Sequence, residues 1–184
     1  MFPVALLLAA SIPAAPVPKP QIVELVTNGS FEDGPDTDNF VPVEKGATTI
    51  KGWTVTRAEI DYIGPYWEAG EGKRSLDLHG SPGLGGIKQT LAVKKGRTYT
   101  VTFLMASTPA GTPVEKSLWV EAAGAKKKFS FDATGKSNDK MGWETKTWEF
   151  TADADEVELE FYTAETEQEN CGPALDQVSV KLKP

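Results

Sequence analysis

The residue types that suit carbohydrate binding are concentrated in one stretch, DYIGPYWEAGEGKRSLDLHG, at residues 61–80. Three aromatic residues lie around Gly64 and Pro65, and turn residues break the stretch too often for one core strand. An aromatic ring packs against the apolar C–H face of a sugar, while planar polar groups bond to its hydroxyls. The ligand-binding residues predicted from this region are Asp61, Tyr62, Tyr66, Trp67, Arg74, Asp77, His79 and Gln89.

One further candidate lies outside that stretch. Trp119 faces opposite to its neighbours Leu118 and Val120 in KSLWVEA, so it is either a core residue of a second face or another sugar platform. The rings of residues 61–80 have a structural alternative as well, because Trp67 and Tyr62 would equally serve to close one end of a core.

Catalytic motifs are weak throughout the chain. His79 is the single histidine, and HGSPG lacks the G-x-S-x-G elbow of a serine hydrolase. The glycine-rich GSPGLGG lacks the Lys-Ser/Thr ending of a phosphate-binding loop. A carboxylate pair for glycoside hydrolysis cannot be selected by sequence among 26 acidic residues. We therefore predict that the protein is not an enzyme.

Composition indicates one globular domain with a substantial core. The chain has 184 residues, of which 40% are hydrophobic, and a ~150-residue domain buries roughly 68–70% of its unfolded surface. The net charge of −7 argues against nucleic acid as a partner, because that affinity depends on clustered Lys and Arg. The only local basic cluster, AKKKFS, is typical of a solvated strand or turn.

The first residues are typical of an export signal. MFPVALLLAASIPAAP has a short apolar run followed by small residues and prolines. We predict a signal peptide with a short linker at residues 1–20, a single domain at 21–184, and a secreted, extracellular or cell-envelope location. No other stretch approaches the ~20 apolar residues of a membrane helix. Cys171, the single cysteine, cannot form an internal disulfide; it is expected to be a small buried residue, with an intermolecular disulfide or a reactive thiol as the alternatives.

Short strands are predicted almost everywhere. TYTVTFLM and EVELEF alternate apolar and polar residues with the period of two that half-buried strands show. Similar runs recur between Gly, Pro, Asn and Asp residues, and no apolar stripe keeps helical spacing for three turns. About ten antiparallel strands of this kind predict an all-β sandwich or jelly roll.

Five motifs in order resemble a known family: NGSFEDG, GWTV, IDYIGPYWEAGEGKRSLDLHG, GGIKQTLAVKKGRTYTVTF and NCGPALDQVSV. From about Gln21 to Leu182 the chain resembles the choice-of-anchor C family of bacterial surface proteins. It is also similar to the related plant cell-wall proteins built on a domain of unknown function. The resemblance implies a galactose-binding-like jelly-roll β-sandwich, which many non-catalytic carbohydrate-binding modules share.

The resemblance also implies a role for two distant carboxylates. In similar sandwiches the Glu of the first motif and the Asp of the last lie side by side and often hold structural calcium, and Glu32 and Asp176 occupy those positions. Calcium takes six to eight oxygen ligands, and the ion would tie together the ends of a chain without disulfides. Alternatively, both carboxylates accept backbone hydrogen bonds where the ends meet.

Two functions remain open at this point. The first is a secreted lectin-like module that binds a polysaccharide or cell-wall glycan through the residues named above. The second is a structural or adhesion domain of the envelope or matrix, with the same aromatic residues as anchors of a protein interface. The sequence leaves the sugar and the oligomeric state open.

Overall fold

A computed structural model describes residues 23–80, 83–164 and 170–184. These residues form thirteen strands, and the part of the chain described contains no helix. In chain order the strands are β1 (Phe40–Val43), β2 (Thr54–Thr56), β3 (Ile60–Ile63), β4 (Ser75–Asp77), β5 (His79–Gly80), β6 (Gly83–Leu84), β7 (Gly86–Ala92), β8 (Thr98–Ser107), β9 (Glu115–Ala122), β10 (Ala125–Asp132), β11 (Glu144–Thr151), β12 (Glu156–Thr163) and β13 (Pro173–Leu182).

The strands make two antiparallel sheets that face each other. One sheet has six strands in the order β1-β3-β4-β13-β8-β11, and the other has five in the order β10-β9-β12-β7-β2. A two-stranded ribbon of β5 and β6 lies beside them. The predicted all-β sandwich is confirmed. The predicted signal peptide at residues 1–20 lies outside the described residues.

The core lies between the two sheets. Along β8 the side chains of Val101, Phe103 and Met105 are buried, and along β12 those of Leu159 and Phe161 are. The rings of Phe103 and Phe161 meet edge to face across the sheets with 5.1 Å between their centroids. This contact fixes which face of each strand is inward, so the alternate residues point away from the core.

Two strand assignments differ from the sequence prediction. QIVELV was expected to be a strand, but within its described part Glu24 makes only an isolated bridge to Lys181. Residues 61–80 are predicted to be too broken by turns for one core strand, with a short strand only at SLDLHG, yet β3 at the start of this stretch buries all four of its residues. Tertiary burial overrides the local turn signal there, because β3 lies between β1 and β4 in the sheet.

The beginning of the domain is joined to β13. The Glu24 carboxylate accepts the Val180 N–H at 2.8 Å, and the Gly29 carbonyl accepts the Val178 N–H at 2.8 Å. Asn28 closes the intervening turn, since its Oδ1 accepts the Asp33 N–H at 3.0 Å. The NGSFE motif is therefore a structural junction that holds the first described segment against the last strand.

Candidate functional site

The three aromatic residues predicted in residues 61–80 lie in different environments. Tyr62 is fully buried in the core, and its hydroxyl donates a hydrogen bond to the Phe31 carbonyl at 2.7 Å. Burial raises the pKa of this hydroxyl to about 12, so it remains a neutral donor. Trp67 is largely buried, and its indole N–H donates to Ser75 Oγ at 2.8 Å. Tyr66 alone is open to solvent, with 41% of its surface exposed.

Four of the predicted polar residues are buried. Asp61 and Asp77 are opposite each other on β3 and β4, and His79 begins β5. The Gln89 amide forms two hydrogen bonds with the backbone of Thr27: its Oε1 accepts the Thr27 N–H, and its Nε2 donates to the Thr27 carbonyl. All four side chains are enclosed by the fold, so none of them is open to solvent as a ligand contact.

Asp77 is held in a closed polar cluster. Its carboxylate accepts the Thr108 hydroxyl at 2.6 Å and the His79 N–H at 2.9 Å. Burial raises its pKa from 3.8 to about 7, and the nearby Asp61 charge acts in the same direction. The folded protein therefore keeps a proton on this group across a pH range in which the unfolded chain has lost it.

This shift predicts how stability depends on pH. Because the folded state binds the extra proton between pH 3.8 and about 7, the Asp77 contribution to the free energy of unfolding is full below that window and falls as the pH rises through it. Asp77→Asn cannot titrate, so its melting temperature should decline less than that of the wild type from pH 4 to pH 7. Parallel melting curves for the two proteins across this range would contradict the assignment.

Glu32 and Asp176 both accept hydrogen bonds from the loop of residues 70–74. Glu32 Oε1 accepts the N–H groups of Lys73 at 2.8 Å and Arg74 at 2.9 Å. Asp176 Oδ2 accepts the Glu71 N–H at 2.8 Å, and its Oδ1 accepts its neighbour's N–H. Two distant carboxylates thus hold one loop from opposite ends of the sequence.

These contacts bear on the predicted calcium ion. No group of three or more His, Cys, Asp or Glu side chains among the described residues is arranged to hold a metal. Glu32 and Asp176 already accept backbone N–H groups, which would compete with an ion that takes six to eight oxygens. Calcium stays a prediction from the resemblance, which melting temperatures in calcium and in chelator would decide.

Trp119 is on the outward face of the five-stranded sheet and is partly exposed. Across the sheet it is the direct partner of Tyr162 on β12 and of Lys128 on β10. Lys126 is on the same side of β10, and its Nζ is 4.9 Å from the centroid of the Trp119 ring. The structure therefore places this ring on an outer sheet surface rather than in a second core.

A polar network adjoins the Trp119 ring. The Arg57 guanidinium is 3.4 Å above the centroid of the Tyr162 ring and bonds to both Glu160 oxygens, at 3.0 and 2.9 Å. Thr56 also donates to Glu160, and the Tyr162 hydroxyl donates to Glu121 at 3.1 Å. We call this surface the Trp119 face; its residues are Arg57, Trp119, Glu121, Lys126, Lys128, Glu160 and Tyr162.

The backbone helps to position this network. Arg57 follows β2 and has a φ of 64°, in the left-handed region that non-glycine residues seldom adopt. Such strain persists only where the surroundings hold the residue in place. Stacking on Tyr162 and the paired bonds to Glu160 supply that restraint, so the guanidinium is fixed in advance as a planar donor.

The sequence prediction included Trp119 but missed Tyr162, Arg57, Glu160 and Glu121. A signal for Tyr162 was present: the outward positions of EVELEFYT are Glu156, Glu158, Glu160 and Tyr162, which puts an aromatic residue on the wet side of a strand. Arg57 had no such signal, because its position over the ring depends on the pairing of β2 with β7.

Sequence comparison identifies the family. The model of the family described as "Protein of unknown function (DUF642)" matches residues 24–181. The chain belongs to the DUF642 family. A similar segment of halomucin from Haloquadratum walsbyi is 31% identical over 165 residues, covering 85% of this chain and 2% of halomucin. Protein TEEBE from Arabidopsis thaliana is 27% identical over 170 residues, covering 88% of this DUF642 chain and 44% of TEEBE.

Solved structures support the fold of this DUF642 domain. TmCBM61 in complex with β-1,4-galactotriose matches with a TM-score of 0.51 and 14% identity, covering 88% of this chain and 99% of that one. The arabinose-bound α-L-arabinofuranosidase MgGH51 matches with a TM-score of 0.57 and 16% identity, covering 86% of this chain and 26% of that one. Within the described residues, no helix has the length and apolarity needed to cross a membrane.

Proposed function

We propose that this DUF642 domain is a non-catalytic, extracellular carbohydrate-binding module that holds a polysaccharide on the Trp119 face. The observation that carries the proposal is the partly exposed Trp119 ring beside the fixed network of Arg57, Glu160 and Tyr162. The fold shared with a module bound to β-1,4-galactotriose is consistent with this role.

The chemistry of the face suits a sugar. The Trp119 ring offers a flat apolar surface to the C–H groups of a pyranose. Arg57 and Lys126 provide N–H donors to ring hydroxyls, and Glu121 and Glu160 provide acceptors. Beside them lies a groove of about 420 Å³ whose lining includes Glu121, Glu158 and Glu160, within the ~300–1,000 Å³ range of ligand sites.

The engaged carboxylates favour binding over catalysis. Glu160 accepts hydrogen bonds from Arg57 and Thr56, so both of its oxygens are already engaged within the protein. Glu121 accepts the Tyr162 hydroxyl. Hydrolysis of a glycoside requires two carboxyl groups that flank the scissile bond and contact the reacting atoms, whereas both of these carboxylates are engaged by side-chain donors.

The proposal is tested by neutralising one carboxylate of the network. Glu160→Gln releases Arg57 from its paired bonds, and we expect a loss of affinity of about tenfold, since a hydrogen bond to a charged group contributes roughly 1.5–3 kcal/mol. The measurement is native affinity electrophoresis through gels that contain soluble polysaccharides, together with the melting temperature of each variant.

Glu149→Gln is the matched control. Glu149 is on β11 of the other sheet and pairs with Lys183, so its neutralisation leaves the Trp119 face unchanged. It should migrate as the wild type does. Equal retardation of all three proteins would overturn the site assignment. Free migration of the wild type through every glycan, with self-association in the ultracentrifuge, would favour the adhesion function instead.

The chain is shorter than the plant proteins that it matches. The chain spans 44% of TEEBE and 42% of a second Arabidopsis thaliana relative. We infer that the domain acts outside the cell as one glycan-binding part of a cell-wall or cell-envelope system. Membership of the choice-of-anchor C group and calcium binding remain predictions within this proposal.

A further inference from the structure

A second aromatic surface lies on the other sheet. The loop of residues 64–74 connects β3 to β4 in the six-stranded sheet and crosses its outer face. There Gly70 lies against Leu104 and Asp176, which are opposite each other on β8 and β13. Leu104 alternates with the inward Phe103 and Met105, so this loop is on the side of the sandwich away from the Trp119 face.

This loop presents a ring that is exposed but fixed. Tyr66 has 41% of its surface exposed, and its ring lies 5.3 Å from that of Phe40 and 5.7 Å from that of Trp67. Asn138 donates to the Tyr66 carbonyl at 3.2 Å. An exposed ring held in place in this way offers a flat apolar surface to a ligand that has an apolar face.

A cleft of about 380 Å³ lies along the same loop, and its lining includes Pro65 and Trp67, which flank Tyr66 in the chain, together with Lys73 and Arg74. Arg74 Nη1 donates to the Thr37 carbonyl at 2.9 Å, which fixes the plane of the guanidinium. Among the described residues, neither Lys73 nor Arg74 has a carboxylate within ion-pair distance. Both side chains therefore keep N–H donors for hydroxyl oxygens of a sugar.

We propose that this Tyr66 cleft is a second polysaccharide site, so that one domain holds two glycan strands on opposite faces and cross-links them. The inference rests on the proposed function of the Trp119 face and adds bivalency to it. The rigid core between the sheets, where Phe103 meets Phe161, separates the two sites. One glycan chain cannot lie along both faces without passing round the sandwich, so the two sites of a domain bind two different glycan chains. Each glycan chain in turn binds several domains, and a cross-linked network forms.

The experiment uses the full chain and three soluble probes: β-1,4-galactan, xyloglucan and hydroxyethylcellulose. Affinity electrophoresis measures binding, and light scattering of protein–glycan mixtures measures cross-linking. The variants are Tyr66→Ala, Trp119→Ala and the double variant. Val114→Ala is the control, because Val114 is an exposed apolar side chain outside both sites.

Bivalency predicts that each single variant is still retarded but scatters at least tenfold less light than the wild type. The double variant should migrate freely, and Val114→Ala should match the wild type in both assays. Wild-type scattering by Tyr66→Ala would overturn the second site while leaving the Trp119 face intact. Free migration of Trp119→Ala alone would also overturn it. Free migration of the wild type through all three probes would overturn both proposals.

Discussion

Replacing Gly29 with alanine is expected to lower the free energy of unfolding by about 3–5 kcal/mol, comparable with severe core substitutions. A Cβ at this position would lie well inside the van der Waals radius of the Val178 carbonyl oxygen, which belongs to the backbone of β13. The same two residues are joined by the hydrogen bond from the Val178 N–H to the Gly29 carbonyl. The first segment and the last strand must therefore separate to admit a methyl group.

Chemical denaturation of the variant and the wild type measures this loss. Gly124→Ala is the control, because a Cβ there meets no atom within 4 Å although its φ is +69°. That change should cost only about 1–3 kcal/mol through backbone strain. If Gly29→Ala proved no less stable than Gly124→Ala, the close junction between the NGSFE motif and β13 would be wrong.

The second large effect concerns binding. Trp119→Ala removes the ring at the centre of the Trp119 face, and the affinity for the retained polysaccharide should fall about 30-fold, or ~2 kcal/mol, as for a central Trp in an interface. Trp119→Phe keeps a flat ring and should recover most of that loss. Isothermal titration with a soluble polysaccharide measures both values.

The melting temperature distinguishes a loss of binding from a loss of folded structure in Trp119→Ala. Trp119 is on the outer side of β9, so its truncation leaves the contacts between the two sheets in place. We expect the melting temperature to stay within a few degrees of that of the wild type. An unchanged affinity in Trp119→Ala would exclude the ring from the site, and a poor affinity in Trp119→Phe would show that stacking is not its role.

The sandwich was predictable because its evidence is local. The alternation of apolar and polar residues in TYTVTFLM and EVELEF predicts which side chains point inward. Those side chains are buried in β8 and β12. Which strands pair with one another was not predictable in the same way. β3 is only four residues long and precedes a turn-rich segment, and its burial depends on neighbours that are distant in sequence.

The residues that we propose for glycan binding were harder to predict than the fold. A cluster of aromatic residues in sequence does not reveal the direction of each ring, and one step along the chain moves a side chain from one face to the other. Tyr62 is thus in the core while Tyr66, four residues later, is exposed. Trp119 and Tyr162 are 43 residues apart and become neighbours only through the pairing of β9 with β12.

The paired motifs at the two ends of the domain show a similar limit. The resemblance implied that Glu32 and Asp176 lie side by side and hold an ion, and in the structure both accept N–H groups of the loop of residues 70–74. It could not specify what they bind. A carboxylate can bind a cation or accept hydrogen bonds from backbone N–H groups. In this structure both carboxylates accept N–H groups.

The most direct test of the Trp119 face is an NMR titration of the ¹⁵N-labelled protein with oligosaccharides of the polysaccharide that retards it most. The chain has five tryptophans, whose indole N–H signals are resolved from the backbone amides. The Trp119 indole signal and the amides of Glu160 and Tyr162 should shift, while that of buried Trp53 should stay in place. Shifts that leave the Trp119 indole and both amides unchanged would show that the glycan binds elsewhere, or not at all.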